Sequence, residues 1–594
     1  MKKGGKSESN HPGVSTDAIH WPKKWLIVLL SGLLLVVLGY VALLKFNIIS
    51  IGKHAGGQSK LEKSIAVLPF LNNSPDTANV YFINGIMEDI LNDLQKIRDL
   101  RVLSLATVEQ YKSKIRPSLL EIAKKLNVSY IVEGSGYKSG NKLVLQVQLI
   151  AAVKQKRLWG ESYMKEIKEP KDIYNIQSRI TQAIASELMA GITPEEKELI
   201  DKISTKNLTA YDFYQRGRDE LNKYWNMGND YANSKEAKKA EYLFHKALEC
   251  DSAFAQAYVG LAWIYWDKYY LSGNLLDTVM IFTDIALSFD DQLAEAYYVK
   301  GDYYNKIKEP EKAIEELDKA LKFNPNNFSA YYDKGWLAKN LGDYVKAIDI
   351  FYNAVKRSSG KDLPDIFWSL AYTYSDIGFI DRAKYYYQEA FNLNGDSIGY
   401  YSDLAGLEQD LAKANDLLLK VYKLDTTNIG IFNNLGTNYL ILGHYKESLE
   451  CFKKMIKKAN PGGNLLKWNM QHVGLAYWQN GFRKEADYYF DKHIETCNNE
   501  NKLSGARSKL LLTYYNLAGI YAFRGEKDKA YENLRIFSQA RIVTLPQLRL
   551  LKTDPLFNNI RNEPEFQQMV RNLELKYQAE HERVRKRPED QEKS

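Results

Sequence analysis

The chain has 594 residues, more than one hydrophobic core organises, and its composition is that of an ordinary globular protein. Its 81 Lys and Arg residues and 73 Asp and Glu residues leave a net charge of only +8, and both signs alternate along most of the chain. Nucleic-acid binders usually gather their basic residues on one face, so we expect no nucleic acid among the partners. The three cysteines, Cys250, Cys451 and Cys497, lie too far apart to indicate a disulfide framework or a metal site.

The first distinctive element is an uncharged apolar run, WLIVLLSGLLLVVLGYVALL, at residues 25–44. About twenty apolar residues in a helix span a hydrocarbon core of roughly 30 Å. A cleaved signal peptide is the alternative, but its apolar region is usually about 7–15 residues long. We therefore predict a transmembrane helix at 25–44, which makes the membrane a partner. A short tail at 1–24 precedes it and a linker at 45–62 follows it.

The lysines around this run bear on its orientation, because cytoplasmic flanks carry the excess of positive charge. Before the run stand Lys2, Lys3, Lys6, Lys23 and Lys24, and after it stand Lys45, Lys53, Lys60 and Lys63. The small excess favours a cytoplasmic N-terminus. We expect a single-pass protein of the inner (cytoplasmic) membrane whose C-terminal bulk lies outside, in the periplasm of a Gram-negative cell. Ser31, Gly32 and Gly39 would let two such helices pack as a homodimer, although ordinary lipid-facing packing explains them as well.

Residues 63–192 alternate between strand and helix patterns. Apolar residues recur at helical spacing in Phe82–Ile97, whereas Lys142–Ile150 alternates strictly and pairs with Tyr130–Tyr137 across a Ser-Gly-Asn turn. Further strands are predicted at Ser64–Phe70, Arg101–Leu105 and Leu158–Met164, and further helices at Leu119–Leu126 and Asp172–Met189. This order predicts a small α/β domain with a mixed sheet covered by helices.

Three stretches of this domain carry a family resemblance. SIAVLPFLNNSPD begins at Ser64, VSYIVEGSGY at Val128 and LWGESYMKEI at Leu158. Together they resemble the TolB-amino-terminal-like domain of many bacterial signalling and repeat proteins. Such relatives often carry a nucleotide-cyclase or winged-helix DNA-binding domain ahead of this block, whereas only residues 1–24 precede the predicted membrane helix here. The resemblance implies that any such output activity comes from a separate protein.

No motif in the sequence indicates catalysis. Gly134–Gly140 looks like a phosphate-binding loop, but it has one residue too many for G-x-G-x-x-G and runs from strand to strand, so a hairpin explains it. The eight histidines are scattered, and the sequence contains no nucleophile elbow, P-loop or kinase pattern. An enzyme with dispersed catalytic residues is the remaining alternative. We expect no catalytic residues, no cofactor and no metal.

The second part of the chain repeats at about 34 residues, the length of the tetratricopeptide repeat. In the copy at Ala294–Asn327, Gly301 marks the place where the first helix of a pair meets the second, and Leu317 is the large residue between the small Ala313 and Ala320. In the next copy Gly335 and Phe351 occupy the same positions. This register identifies a tetratricopeptide-repeat (TPR) region of helix pairs.

These patterns predict a multidomain protein with one transmembrane helix, a small mixed-sheet α/β domain and an all-α solenoid. The solenoid covers 208–538 with about nine helix pairs. One copy, at 398–428, is shortened, and the first has a long inter-helix loop at Trp225–Lys235. A capping element is predicted at 539–575, and a solvated, charged helical tail at 576–594.

Each helix pair has an apolar face that only a neighbouring pair can cover, so the pairs stack and leave a concave groove. By the family's pattern, the side chains at positions two, five, nine and twelve of each repeat face this groove. We select as partner-binding candidates Trp263, Trp266, Tyr298, Asp302, Asn305, Tyr332, Trp336, Lys339, Trp368, Tyr372, Asn433, Gln471 and Trp478. The alternative for any single ring is a packing role. No fifth position holds lysine, so we expect no carboxylate clamp.

An aromatic and amide-rich groove suits an extended peptide or a partner helix. The sequence therefore favours a membrane-anchored, non-catalytic scaffold that binds a protein or peptide partner. The alternative function, implied only by the family resemblance, is a sensory or regulatory subunit of a bacterial signalling system. Such a subunit would act on a separate cyclase or transcriptional regulator.

Overall fold

The structure is a computed structural model, and its described residues belong to one compact unit, Glu62–Ser594. They are residues 62–73, 79–113, 115–228, 231–358, 360–458, 464–503 and 511–587. The predicted transmembrane helix at 25–44 and the end of the charged tail lie outside them. Within the described ranges no helix combines the length and the apolar character needed to cross a membrane.

Residues 62–200 form the α/β domain. Its strands are β1 (Ser64–Val67), β2 (Leu71–Asn72), β3 (Arg101–Val102), β4 (Tyr130–Ser139), β5 (Lys142–Ala151) and β6 (Lys156–Glu166). Its helices are α1 (Val80–Gln95), α2 (Leu105–Val108), α3 (Leu119–Leu126), α4 (Pro170–Glu187) and α5 (Pro194–Ile200). The strand order is β3-β1-β4-β5-β6, with β2 also paired to β4. β1 runs parallel to β3 and β4, whereas β4, β5 and β6 are antiparallel, so the sheet is mixed.

Local sequence explains both the hairpin and its one-sided burial. β4 and β5 pair along their full length, and Gly140 in the turn has a φ of 58°, a conformation that glycine adopts most readily. Alternate residues of β5 are buried against the helices, namely Leu143, Leu145, Val147 and Leu149. The core therefore lies between the sheet and the apolar face of α1.

The strand predicted at Arg101–Leu105 is shorter in the structure. Only Arg101–Val102 pairs with β1, and the chain turns into α2 directly afterwards. The reason is Ser104, whose side chain accepts a hydrogen bond from the Thr107 amide and so begins the helix. The apolar residues of this stretch predicted a strand, and they do not indicate that a helix begins at Ser104.

Residues 208–537 form nine helix pairs within the described ranges. The first helices of the pairs are α6 (Leu208–Met227), α8 (Ala255–Ser272), α10 (Ala294–Lys306), α12 (Phe328–Asn340), α14 (Leu363–Asp376), α16 (Ser397–Leu407), α18 (Gly430–Ile441), α20 (Asn464–Gln479) and α22 (Leu511–Arg524). The second helices are α7 (Lys235–Cys250), α9 (Leu276–Phe289), α11 (Pro310–Phe323), α13 (Tyr344–Arg357), α15 (Ile380–Asn394), α17 (Leu411–Leu424), α19 (Tyr445–Lys458), α21 (Arg483–Leu503) and α23 (Lys527–Phe537).

The repeated glycines mark the closest approach of the two helices in a pair. A Cβ atom added to Gly335 would lie 2.4 Å from the ring of Phe351, and one added to Gly436 would lie 2.8 Å from Phe452. The large side chain of the second helix thus occupies the space that a side chain on the first would fill. The first pair differs from the predicted pattern, because α6 continues to Met227 and shortens the expected loop.

The C-terminal region differs from the predicted solvated tail. After α24 (Leu545–Thr553), the single helix α25 (Pro564–Arg585) runs through the boundary at 575. The His581 ring stacks on Phe379 at 4.3 Å, Val584 is buried, and Arg587 forms an ion pair with Asp349. Residues 576–587 therefore pack on α13 and the turn after α14. The segment was predicted to be solvated because charged residues dominate it, and only a few of its side chains make these contacts.

Candidate partner-binding surface

The first helices of neighbouring pairs contact one another, as α8 does with α6 and α10, and α12 with α14. We call the surface that these first helices share the inner surface. It is the counterpart of the predicted groove. The candidate side chains from the sequence fall on it in three groups, with different surroundings.

The first group lies on α8 and α10. Trp266 is buried in the core between these helices and is therefore a packing residue. Trp263 contacts Tyr298, with ring centroids 5.8 Å apart, and donates a hydrogen bond from Nε1 to Glu295 at 3.1 Å. Asn305 is exposed near the end of α10.

The second group forms one continuous aromatic surface on α12 and α14. The Trp336 ring lies 6.3 Å from both Tyr332 and Tyr372, and Tyr372 lies 6.3 Å from Trp368. Tyr372 is exposed and the other three are partly exposed. We call Tyr332, Trp336, Trp368 and Tyr372 the aromatic surface. The predicted candidates on these two helices therefore do come together.

Four aspartates lie beside this surface, and we call them the acidic strip: Asp302, Asp333, Asp376 and Asp403. Asp333 accepts a hydrogen bond from Tyr298 Oη at 2.9 Å, and Asp403 accepts one from Tyr372 Oη at 2.7 Å. Asp376 forms an ion pair with Lys339 at 2.6 Å. Only Asp302 was among the sequence candidates. Asp333 and Asp403 each directly follow the fifth position of a repeat. The family's pattern selects positions two, five, nine and twelve, so it does not include them.

Burial makes this strip electrostatically unusual. Desolvation raises the pKa of Asp302 to about 7, with the neighbouring Asp333 contributing, and it raises the pKa of Asp333 to about 6. The pKa of Asp403 is raised to about 7 for the same reason, with a smaller contribution from Asp396. Each of these carboxylates is less stable in its charged form than it would be in water.

The third group lies further along the chain, on α18 and α20. Gln471 is buried and donates from Nε2 to Asn516 Oδ1 at 3.2 Å. Asn433 bonds to its neighbour Asn434. The guanidinium carbon of Arg483 lies 3.7 Å from the centroid of the Trp478 ring. These side chains contact their own helix pairs or the next pair, so we centre the candidate site on the aromatic surface.

The α/β domain occupies the inner surface of the first pairs, a feature that the sequence did not indicate. On α6, Arg218 forms ion pairs with Asp89 at 2.7 Å and Glu88 at 3.0 Å, and donates to the Gly85 carbonyl at 2.8 Å. Desolvation raises the pKa of Glu88 to about 7, against the lowering effect of Arg218. We call Glu88, Asp89 and Arg218 the docking cluster.

Further contacts extend the docking to the fourth and fifth helix pairs. Asn326 donates to the Gln95 carbonyl at 2.9 Å, and Arg101 donates to the Ser358 carbonyl at 3.3 Å. A cavity of about 570 Å³ remains between α1 of the domain and the first helices of the repeats, including α6. Trp263 forms part of its lining. Trp263 therefore faces the docked domain, whereas the aromatic surface does not line this cavity.

Within the described residues no group of His, Cys, Asp and Glu side chains is arranged to hold a metal ion. The absence of a cofactor and of catalysis stays a prediction.

Comparisons with known proteins bear on both regions. Residues 294–327 and 429–457 match one family model of the tetratricopeptide repeat, and residues 316–349 match another. The chain contains tetratricopeptide repeats. Residues 61–183 match the model described as HilA/YgeH-like transcriptional regulator, second domain. That description differs from the TolB-amino-terminal-like domain, so the latter resemblance stays a prediction.

Two curated relatives match parts of the chain. A protein of Rhizobium meliloti (strain 1021) named "Putative adenylate cyclase 3" is 31% identical over 205 residues, which cover 34% of this chain and 33% of the relative. The TPR repeat-containing protein MJ1428 of Methanocaldococcus jannaschii is 24% identical over 265 residues, covering 40% of this chain and 44% of the relative. The chain thus spans less than half the length of each relative.

Among solved structures, the type IV pilus biogenesis factor PilW is 19% identical with a TM-score of 0.31, and the match covers 36% of this chain and 94% of PilW. The MamA protein is 22% identical with a TM-score of 0.25, and the match covers 32% of this chain and 95% of MamA. The repeats support a protein-interaction scaffold, since stacked TPR helix pairs present an extended binding surface.

Proposed function

We propose that the protein binds a segment of a partner protein on the inner surface of α10–α16, with the aromatic surface as its anchor. The observation that carries this proposal is the continuity of Tyr332, Trp336, Trp368 and Tyr372 across two neighbouring first helices. Partly exposed rings in contact offer a large apolar area with little loss of conformational entropy on binding, as in known binding hot spots.

The test is capture of the partner by the full-length chain from native membranes, by cross-linking and affinity purification. Replacing Tyr332 and Tyr372 by alanine removes two partly exposed rings without creating a large core cavity. The matched control replaces Tyr242 and Tyr488, which are exposed on second helices. We expect the first variant to lose the partner and the control to retain it. Equal capture by both variants would exclude the aromatic surface.

We further propose that residues 25–44 anchor this scaffold in the membrane. The uncharged apolar run supports the proposal through its length and composition. The full-length chain should stay in the membrane fraction after alkaline extraction, whereas a variant with three Leu→Lys changes within the run should be released. Release of the parent chain by the same treatment would contradict the anchor. Protease accessibility in intact cells would then test the predicted external position of the C-terminal bulk.

A second candidate function is a regulatory subunit that acts on a separate cyclase or transcriptional regulator. Two matches favour it, namely the regulator-domain model over 61–183 and the relative named as an adenylate cyclase. In this case an output protein should co-purify with the full chain, and its capture should survive replacement of Tyr332 and Tyr372. A cross-linked set that contains no such output protein would count against this function.

A further inference from the structure

Three of the four carboxyl groups of the acidic strip have no cation beside them among the described residues. Within the described residues Asp376 is paired with Lys339, but Asp302, Asp333 and Asp403 form no ion pair with lysine or arginine. Partly buried carboxylates without a cation are unfavourable, because they lose hydration without an electrostatic gain. The free protein therefore holds three carboxylates in an arrangement that a positive charge would stabilise.

Lys339 shows how a cation fits this surface. Its ammonium nitrogen lies 2.6 Å from Asp376 Oδ2 and 5.0 Å from the centroid of the Trp336 ring. A carboxylate and an aromatic face together favour a cation more than either does alone, since the charge interacts with both the carboxylate and the ring quadrupole. The chain thus contains one complete example of the arrangement on α12 and α14.

At Asp333 and Asp403 the aromatic neighbour is a tyrosine that donates its hydroxyl, and no cation of the described chain lies beside them. Tyr298 donates to Oδ2 of Asp333, and Tyr372 donates to Asp403 Oδ1. Oδ2 of Asp403 has no hydrogen-bond partner among the described residues and is buried, so a donor reaches it only if the neighbouring side chains move. Each of these two carboxylates therefore receives one neutral donor in the free protein. That leaves capacity for a charged donor from another molecule.

We propose that the bound segment is cationic, and that its lysine or arginine side chains pair with Asp302, Asp333 and Asp403. This inference rests on the proposed binding surface and adds the chemistry of its occupant. The argument is charge complementarity: Asp376 is paired with Lys339, whereas Asp302, Asp333 and Asp403 on the same surface have no lysine or arginine beside them among the described residues. The occupant is a lysine- or arginine-bearing segment of a partner protein.

The experiment measures binding of fluorescent peptides to the full-length chain by anisotropy. Three peptides share one sequence in which alternate positions are lysine, glutamine or glutamate. We expect the lysine peptide to bind and the other two to bind about tenfold more weakly or not at all, with affinity falling as salt is raised. Equal binding of the lysine and glutamine peptides, or no binding of the lysine peptide, would overturn the proposal.

Two matched variants test whether the strip is responsible. The strip variant carries Asp302→Asn, Asp333→Asn and Asp403→Asn. The control variant carries Glu315→Gln, Asp416→Asn and Glu532→Gln, which remove three exposed carboxylates on second helices. Each variant removes three carboxyl groups, and at pH 8, above the raised pKa values of the strip, both change the net charge nearly equally, so non-specific attraction is matched. We expect about a tenfold or greater loss of lysine-peptide affinity in the strip variant only. Equal affinity of the two variants would exclude the strip.

The same variants separate this inference from the proposed function. If the strip variant still captures the native partner and the Tyr332/Tyr372 variant does not, the binding surface stands and the cationic occupant is excluded. One further chain, with glutamine at Lys45, Lys53 and Lys60 of the linker, tests for a self-supplied cation from the expected side of the membrane. A gain in lysine-peptide affinity on this change would assign the strip to the chain's own linker and overturn the assignment to a partner. Unchanged affinity supports the partner.

Discussion

Two stretches of the same inner surface differ in how their charges are satisfied. Over the first helix pairs the α/β domain is docked, and its Glu88 and Asp89 both pair with Arg218 of α6. Along α10–α16, Asp302 and Asp333 lie beside aromatic rings with no cation from the described chain. The covered stretch shows that this repeat surface binds a neighbour through paired charges. In the second stretch, which we call uncovered, the domain contacts the loops at Asn326, Ser358 and Asp362. Within the described residues its carboxylates and rings have no such contact.

The largest effect is expected at the docking cluster. Replacing Arg218 by methionine leaves the partly buried Glu88 and Asp89 without their cation, which should destabilise the protein by about 3–5 kcal/mol. Chemical denaturation measures this loss, and limited proteolysis should show earlier cleavage in residues 62–200. The control is Arg535→Met, which removes an exposed pair with Glu565 and should change stability by less than about 1 kcal/mol. Similar losses in both variants would contradict the role given to the docking cluster.

A second prediction tests the repeat packing on which both stretches are built. Gly335→Ala places a methyl group 2.4 Å from the Phe351 ring and should destabilise the protein by about 1–3 kcal/mol. Gly406 lies in the first helix α16, and a Cβ there meets no atom within 4 Å. Gly406→Ala should therefore stabilise the helix by up to about 1 kcal/mol. Thermal denaturation should thus give shifts of opposite sign, and equal signs would refute this packing rule.

The strip variant tests the uncovered stretch by itself, because its three substitutions should make the protein without a bound partner more stable. Removing three poorly compensated charges should raise the free energy of unfolding, on the order of 1 kcal/mol in total after solvent screening at this partly exposed surface. The control variant at Glu315, Asp416 and Glu532 should change little. A clear loss of stability in the strip variant would show that the carboxylates serve the fold and not a ligand.

The smallest effect is the pH dependence of that gain. The raised pKa values, about 7 for Asp302 and Asp403 and about 6 for Asp333, exceed the ordinary value of 3.8. The folded protein therefore binds protons more tightly than the unfolded chain, and this contribution to stability is lost as pH rises through about 6 to 7. The titratable groups that face the three carboxylates include Tyr298, Tyr372, Tyr387 and Asp396, and Asp333 also faces Asp302. The stability gained by the strip variant should increase from pH 5 to pH 8, and a constant gain would contradict the assignment.

The same titration should change the affinity for the lysine peptide in the direction opposite to its effect on the stability of the free protein. Because a cation binds the ionised carboxylate, affinity for the lysine peptide should fall as pH is lowered from 8 to 5. The aspartates of the strip variant no longer titrate there, so its weak binding should change less. Anisotropy titrations at each pH measure both effects, and a rise in affinity on acidification would contradict the prediction.

Local patterns predicted the helix pairs and the hairpin, because the contacts that define them lie close in sequence. Gly335 meets Phe351 within a single pair, and the turn at Gly140 joins two strands that pair directly. The docked position of the α/β domain could not be predicted in this way. Arg218 and Asp89 are 129 residues apart, and neither belongs to a recognisable motif.

The candidate site was predicted in part. Repeat positions found the aromatic surface, since ring placement follows directly from helical spacing. They did not reveal that Asp333 and Asp403 lie beside the same rings, nor that Trp266 is buried in the core. Whether a position that faces the groove is exposed depends on how neighbouring pairs pack, and a single repeat does not contain that information.

The central claim is that a cationic partner segment occupies the uncovered stretch. A photo-reactive amino acid at Tyr372, which is exposed on α14, tests it most directly in native membranes, with Tyr488 on a second helix as the control position. The account predicts cross-links from position 372 to a partner segment with lysine or arginine beside the linked residue, and few from position 488. Cross-links from position 372 only to the chain's own residues, or to an acidic partner segment, would contradict it.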